Sequence, residues 1–151
     1  MMHLKVGDKA PELNVKDQDG ITHSLADYKG KKIVLYFYPK DATPGCTAQA
    51  CNLRDNHNLL KKAGYNIIGV SADNENSHIK FIEKQNLNFP LLADTDKELI
   101  KRYGVWGEKK FMGKTYDGIH RTTFVIDENG IIENIITKVK TKDHAAQVLS
   151  A

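Results

Sequence analysis

The chain has 151 residues, of which 40% are hydrophobic and 27% are charged. This is an ordinary globular composition, and the length suffices for a single domain, residues 1–151, whose core needs no disulfide staples. The net charge of +3 arises from 22 basic residues interleaved with 19 acidic ones. Such interleaving indicates solvated surface charge, so we expect no nucleic-acid partner.

Targeting and membrane signals are weak in this sequence. Residues 1–8 contain no apolar segment of the signal-peptide type. No apolar run approaches the ~20 residues that a membrane-spanning helix needs. We therefore expect a cytoplasmic protein without a membrane partner, in which reducing conditions disfavour a permanent disulfide.

The first half of the chain predicts a hairpin, a strand and a helix. Residues 13–16 and 21–24 flank a short turn and predict an N-terminal β-hairpin. The unalternating apolar run at residues 33–38 predicts a central strand that is buried on both faces. An apolar stripe with helical spacing then predicts one helix over residues 43–63.

The second half continues the alternation of strands and helices. We predict strands at residues 67–70 and 90–92, helices at 77–85 and 95–103, a late hairpin of 122–126 and 131–137, and a closing helix at 143–149. This order predicts an α/β fold with a central mixed, mainly parallel sheet flanked by helices. Chemistry in such folds lies beyond the carboxyl ends of the central strands, which is where Cys46 falls.

Cys46 stands at the start of the helix that follows the central strand. Thr43, Pro44 and Gly45 have the order of an N-cap and the first two helical positions. In the first turn, free N–H groups and the positive end of the helix dipole stabilise a thiolate, the nucleophilic form of cysteine. Cys46 is therefore the candidate nucleophile.

Cys51 follows five residues later and lies off the apolar stripe that contains Cys46. On a regular helix two residues at this spacing have Cα atoms about 8–9 Å apart, and a disulfide tolerates only about 7 Å. A disulfide between them would require the first turn of the helix to unwind. This indicates a disulfide that forms and breaks during catalysis, and not a permanent one. Two small buried cysteines without chemistry are the alternative.

Zinc binding and thioredoxin-type disulfide exchange fit the spacing of the two cysteines less well than a transient disulfide does. A structural zinc site needs four ligands in paired motifs, and the six histidines are scattered singly. Four residues separate the two thiols, whereas a dithiol exchanger has two. We expect no metal and no other cofactor.

The sequence resembles the peroxiredoxins. The pattern of Pro39, Thr43 and Cys46 followed by Cys51 is similar to their active-site signature. Segments across the chain resemble the bacterioferritin comigratory protein, or peroxiredoxin Q, branch: residues 7–11, 37–40, 104–109 and 116–121. The resemblance implies a thioredoxin-like fold and a monomeric thiol peroxidase that reduces hydrogen peroxide and organic hydroperoxides and is recycled by thioredoxin.

The resemblance also implies roles for individual residues. Cys46 would be the peroxidatic cysteine that becomes a sulfenic acid, and Cys51 the resolving cysteine that condenses with it to a disulfide. Thr43 and Arg121 would hold the thiolate and the peroxide by hydrogen bonds and charge. Pro39 would shape the substrate pocket and shield the thiol, and Gly45 would line that pocket.

The residues alone leave an alternative to this role for Arg121, which is a solvated arginine at the end of a strand. The chain has only two other arginines, however, and Arg54 lies about 12 Å from Cys46 along the same helix. Gln49 departs from the glutamate that many peroxiredoxins outside this branch carry. Two other functions remain open: a general thiol–disulfide oxidoreductase and a redox-responsive binding module.

Overall fold

The computed structural model describes residues 3–150; Met1, Met2 and Ala151 lie outside the described part, as do the ends of the predicted domain. Most of the chain forms short strands and helices. In chain order they are β1 (Val15–Lys16), β2 (Thr22–His23), β3 (Lys32–Phe37), α1 (Pro44–Asp55), α2 (His57–Lys62), β4 (Tyr65–Ser71), α3 (Glu75–Gln85), β5 (Leu91–Ala93), α4 (Glu98–Arg102), β6 (Trp106–Phe111), β7 (Lys114–Ile119), β8 (Thr122–Ile126), β9 (Ile132–Ile136) and α5 (His144–Leu149).

A five-stranded sheet in the order β5-β4-β3-β8-β9 forms the centre of the fold. The β3–β4 and β4–β5 pairs are parallel, whereas β8 pairs antiparallel with both β3 and β9. Four strands of this sheet therefore run in one direction and β8 runs in the other. The predicted central mixed sheet flanked by helices is confirmed, and the predicted N-terminal hairpin is the antiparallel β1–β2 pair.

Strand β3 is buried on both faces, as its apolar run predicts. Val34 and Tyr36 point into a core that they share with residues of α1, α2, α3 and α5. Leu35 and Phe37 point into a second core, which includes Leu99 and other residues of α4 and β8. Because successive side chains alternate between the faces of a strand, one strand connects both cores.

No helix among residues 3–150 is long and apolar enough to cross a membrane.

The single helix predicted for residues 43–63 is two helices, α1 and α2, separated at Asn56. The side-chain amide of Asn56 donates to the carbonyl of Asn52 at 2.8 Å, and its backbone N–H donates to the same oxygen at 3.2 Å. An asparagine that bonds the backbone in this way competes with regular helix geometry. The break leaves α1 as a separate helix of 12 residues.

Two other helices differ from the prediction at their ends. Helix α3 begins two residues earlier, at Glu75, because the Asn74 side chain accepts the N–H of Ser77 at 2.8 Å and caps it. Helix α4 is shorter than predicted. The carboxylate of Asp94 accepts the N–H groups of Leu99 and Ile100, so the residues before Glu98 form a turn.

The β6–β7 hairpin was not predicted. It is a separate two-stranded sheet with paired residues from Trp106↔Ile119 to Phe111↔Lys114. Its strands carry mostly exposed or half-buried side chains, so they lack the apolar alternation that marks a strand. The hairpin ends shortly before β8 and so positions the start of that strand.

Candidate active site

The loop between β3 and α1 ends at Thr43, which occupies the N-cap position of α1 as predicted. Its backbone is extended, with φ −78° and ψ 154°, and its carbonyl accepts the N–H of Thr47 at 2.8 Å. The hydroxyl does not cap the helix, however, because it donates to the carbonyl of Lys40 at 2.8 Å. The first-turn N–H groups of α1 therefore receive no side-chain cap from Thr43.

Cys46 is the third residue of α1 and is only 1% exposed. The Nη2 of Arg121 donates a hydrogen bond to its Sγ at 3.3 Å, and the Nη1 donates to the side-chain oxygen of Gln49 at 2.7 Å. One guanidinium thus joins two residues on the same face of α1. A cationic donor on the sulfur stabilises the thiolate over the thiol.

The direction of β8 explains how Arg121 reaches the thiol. Arg121 immediately precedes β8, and Thr122 pairs with Phe37, the last residue of β3. The start of β8 therefore lies beside the carboxyl end of β3, from which the chain continues into α1. Gly45 completes the approach, because a Cβ at this position would lie 3.2 Å from the Arg121 Nη2.

Gln49 contributes to the site although its role was not predicted. Its side chain is fully buried, and its amide nitrogen has no hydrogen-bond partner among the residues that the structure describes. The fixed oxygen holds one branch of the guanidinium, so the other branch faces Cys46. The helical spacing of three residues from Cys46 is the sequence signal that identifies it.

A cavity of about 650 Å³ adjoins Arg121 beneath the β6–β7 hairpin, with Lys109 on its wall. The ammonium of Lys109 donates to the carbonyl of Ile119 at 2.9 Å. Burial lowers the pKa of Lys109, the Arg121 charge lowers it further, and Cys46 acts in the opposite direction. Lys109 is thus a second basic side chain in the cavity beside Arg121, in a segment for which the residues alone gave no signal.

Cys51 lies in different surroundings from Cys46, as the helical stripe predicts. It is half-buried, and its thiol donates to the side-chain oxygen of Gln85 in α3 at 3.5 Å. Both cysteines are free. Arg54 bonds Asp55 and the backbone of Gln85, on the Cys51 side of α1. The guanidinium beside Cys46 is that of Arg121.

Pro39 lies in the loop after β3 and is half-buried. Its shielding of the thiol stays a prediction.

Neither cysteine belongs to a metal-ligand group: within residues 3–150 the three side chains close enough to share an ion are Asp41, Asp73 and His78. Both carboxylate oxygens of Asp41, both ring nitrogens of His78 and the Oδ2 of Asp73 already take part in hydrogen bonds.

A buried thiol at a helix start, held by an arginine at the edge of a mixed sheet, defines a thiol-dependent enzyme with a thioredoxin-like fold. Comparison with known proteins agrees, because the AhpC/TSA family pattern matches residues 6–135. Peroxiredoxin Bcp of Escherichia coli is 51% identical over 150 residues, which are 99% of this chain and 96% of that protein. Peroxiredoxin Bcp of Bacillus subtilis is 51% identical over 148 residues, or 98% and 94%.

Solved structures give the same result. A PrxQ mutant of Xylella fastidiosa superposes with a TM-score of 0.90 at 32% identity, covering 99% of this chain and 96% of that one. The bacterioferritin comigratory protein of Xanthomonas campestris gives 0.85 at 34% identity, with the same coverage. The chain belongs to the AhpC/TSA family and, within it, to the thiol peroxidases of the Bcp/PrxQ type.

Proposed function

We propose that this protein reduces hydroperoxides through a sulfenic acid on Cys46, which Cys51 resolves as an intramolecular disulfide and thioredoxin then reduces. The observation that carries the proposal is the hydrogen bond from Arg121 to the Cys46 sulfur at 3.3 Å, in the first turn of α1. A buried sulfur with a cationic donor and a helix N-terminus is suited to act as a thiolate.

In the first step the Cys46 thiolate attacks the terminal oxygen of the hydroperoxide. The S–O bond forms as the O–O bond breaks, the sulfur is oxidised to a sulfenic acid, and the departing oxygen leaves as an alcohol or water after it takes a proton. Arg121 stabilises the negative charge as it moves from sulfur to the departing oxygen. Thr43 donates to the peroxide once its hydroxyl turns from the Lys40 carbonyl, and Gly45 and Pro39 bound the pocket.

In the second step the Cys51 thiolate attacks the Cys46 sulfenic sulfur. An S–S bond forms, and the sulfenic oxygen leaves as water after it takes a proton. An incoming dithiol then reduces the disulfide by thiol exchange and returns both cysteines to the free state seen in the structure. Thioredoxin is the proposed dithiol, and no other cofactor is required.

The proposed substrates are hydrogen peroxide and organic hydroperoxides. The cavity of about 650 Å³ beside Arg121 can hold an organic group close to the site of attack. The bacterioferritin comigratory protein of Xanthomonas campestris has alkyl peroxide reduction activity, and this supports the organic class of substrate. We further propose that residues 1–151 act as one domain and as a monomer.

The test is peroxide consumption with thioredoxin, thioredoxin reductase and a nicotinamide reductant. We expect steady turnover of hydrogen peroxide and of an alkyl hydroperoxide, and no reduction of insulin disulfides beyond that by thioredoxin alone. Insulin reduction without peroxide turnover would instead support a general disulfide oxidoreductase. Consumption of only one equivalent of peroxide, with no further turnover, would support a redox-responsive binding module.

A further inference from the structure

The β6–β7 hairpin carries a cluster of exposed apolar side chains that the proposed function does not use. Phe111 is 66% exposed, Met112 is 86% exposed and Tyr116 is 49% exposed. The other large hydrophobic side chains that are exposed among residues 3–150 are scattered singly along the chain: Val6, Ile21, Leu59 and Leu149. Single exposed apolar residues are ordinary in folded proteins, whereas a cluster of them marks a surface that contacts another molecule.

The turn of this hairpin is an independent indication. Met112 has φ 51° and Gly113 has φ 77°, so both central residues of the turn adopt the left-handed conformation. Asparagine, aspartate or glycine is the usual residue at the first of these positions, because other side chains are strained there. Met112 therefore adds backbone strain and also leaves an apolar side chain in water. Neither effect favours folding, which indicates that the methionine serves a contact outside the chain.

Charge is unevenly distributed around the hairpin. Residues 109–116 contain three lysines and no acidic residue. Side chains alternate between the faces of a strand. One face therefore carries two lysines and two aromatic rings, in the cross-strand pairs Lys109↔Tyr116 and Phe111↔Lys114. The acidic residues of the hairpin, Glu108 and Asp117, pair with each other on the opposite face.

The tip of the hairpin, residues 110–114, consists of exposed residues. Two lysines flank its apolar side chains, in the order Lys110, Phe111, Met112, Gly113 and Lys114. The base of the same hairpin lines the cavity beside Arg121, through Lys109. Three residues of strand, or about 10 Å, separate Lys109 from Met112. A partner that binds the tip would therefore lie close to this cavity.

An anionic lipid bilayer fits this surface better than a protein does. A specific protein interface buries about 800 Å² on each partner, and a two-residue turn offers much less. A bilayer needs no complementary pocket, because each apolar side chain that enters the acyl region adds to binding. Lysines beside such side chains bind anionic headgroups and keep their charge in water. A second copy of the same tip would repel the first through its lysines.

We propose that the β6–β7 tip docks the protein on the surface of bilayers that contain anionic lipids. Phe111 and Met112 enter the boundary between headgroups and acyl chains, and Tyr116 lies at the headgroup level with its hydroxyl in water. Lys110 and Lys114 contact the anionic headgroups. The contact is peripheral and needs no membrane-spanning helix. The expectation of no membrane partner came from the lengths of apolar runs, and a hairpin tip is too short to be found in that way.

Sedimentation with lipid vesicles tests the proposal on the whole protein. The probe is a vesicle of equal parts phosphatidylglycerol and phosphatidylcholine, and the reference is a vesicle of phosphatidylcholine alone. We expect binding to the anionic vesicle to be at least about tenfold stronger and to weaken as salt is added. Absence of binding to the anionic vesicle at millimolar lipid would refute the proposal.

Met112→Asn is the main variant, because asparagine suits the left-handed turn and should leave the hairpin folded. Its affinity for the anionic vesicle should fall about tenfold, since one inserted side chain is lost, while the unfolding midpoint stays the same or rises. The matched control is Leu59→Ser, at an apolar residue of α2 that is 56% exposed and lies near Lys61 and Lys62. This control should keep wild-type binding. An equal loss of affinity in both variants would contradict a specific role of the tip.

The lysines are tested in the same way. Lys114→Gln should weaken binding about fivefold, and Lys84→Gln, at an exposed position of α3, should change it by less than about twofold. Light scattering without lipid gives the oligomeric state. A dimer that Met112→Asn dissociates would show that a second copy covers the tip, and the proposal would then be wrong. None of these measurements involves peroxide, so their outcome is separate from that of the proposed function.

Discussion

Arg121 and Cys46 are 75 positions apart in the chain, and the Nη2 of the arginine lies 3.3 Å from the sulfur of the cysteine. The arginine stands at the start of a strand and the cysteine in the first turn of a helix, so two rigid elements define the distance. The side-chain oxygen of Gln49 accepts a hydrogen bond from the other branch of the guanidinium, Nη1, at 2.7 Å. Substitutions of Arg121 and of residues in α1 should therefore affect different steps of the reaction.

The two cysteines should differ in which step they support. Cys46→Ser should abolish peroxide turnover, because Cys46 alone lies at the helix start beside Arg121. Cys51→Ser should still consume one equivalent of peroxide and then stop as a sulfenic acid, which excess peroxide oxidises further. Intact mass after one equivalent of peroxide distinguishes the two variants. Equal peroxide consumption by both would contradict the assignment of roles.

Arg121→Ala should slow the first step about 100-fold, because it removes a charge and a donor that act on the developing oxyanion. The rate of sulfenic acid formation with one equivalent of peroxide measures this loss. The control is Arg102→Ala. Arg102 bonds the carbonyls of Glu12 and Leu13, so that variant should lose stability and keep its rate of peroxide reduction.

Gly45→Ala should lower activity without lowering stability. The added methyl would lie 3.2 Å from the Arg121 Nη2 and displace the guanidinium from the sulfur. Alanine also favours a helix over glycine by about 0.5–1 kcal/mol. We expect the rate of peroxide reduction to fall about tenfold while the unfolding midpoint stays the same or rises. Thr47→Ala, in the same turn, is the control and should keep the wild-type rate.

His144 should make stability depend on pH. Burial lowers its pKa, the Arg121 charge lowers it further, and a hydrogen bond with Gln147 partly offsets both. The ring bonds Thr123 and Gln147 at 2.8 Å each. Because the folded pKa lies below the unfolded value of about 6.5, the unfolded chain binds the proton first. Stability should therefore be constant above that value and fall as pH decreases below it.

Urea unfolding at about pH 7.5 and about pH 5.5 measures this effect. The slope for one proton has a limit of about 1.4 kcal/mol per pH unit. His144→Gln should reduce the difference between the two pH values, and His120→Gln, at an exposed position, should not. An equal pH dependence in wild type and His144→Gln would show that other groups cause it.

The elements with strong apolar patterns were predictable, and the exceptions have local causes. The run at residues 33–38 gave β3 because all of its side chains are buried. The β6–β7 turn has no clear sequence signal, because Met112 occupies its first left-handed position, φ 51°, followed by Gly113 at φ 77°. Asparagine or aspartate is the usual signal at the first position of such a turn. The break between α1 and α2 depends on one side-chain contact of Asn56.

The candidate site was predictable in part. The position of Cys46 in the first turn of a helix followed from Thr43, Pro44 and Gly45, and the structure contains that turn. The nearness of Arg121 could not be derived from spacing, since it depends on β8 running against β3. Only the family resemblance indicated it. Lys109 lies beside Arg121 for the same reason, which is tertiary packing, whereas Gln49 could have been found from its spacing of three residues from Cys46 on one helix.

The reversed direction of β8 has a further consequence for repeated turnover. Arg121 directly precedes β8, so in the proposed cycle we expect it to keep its place while the turn that carries the thiol unwinds. In that cycle, the helix that re-forms after reduction of the disulfide would meet a cation that is already in position. If the proposed cycle holds, a substitution that destabilises β8 should slow the recovery of the reduced enzyme more than its first reaction with peroxide.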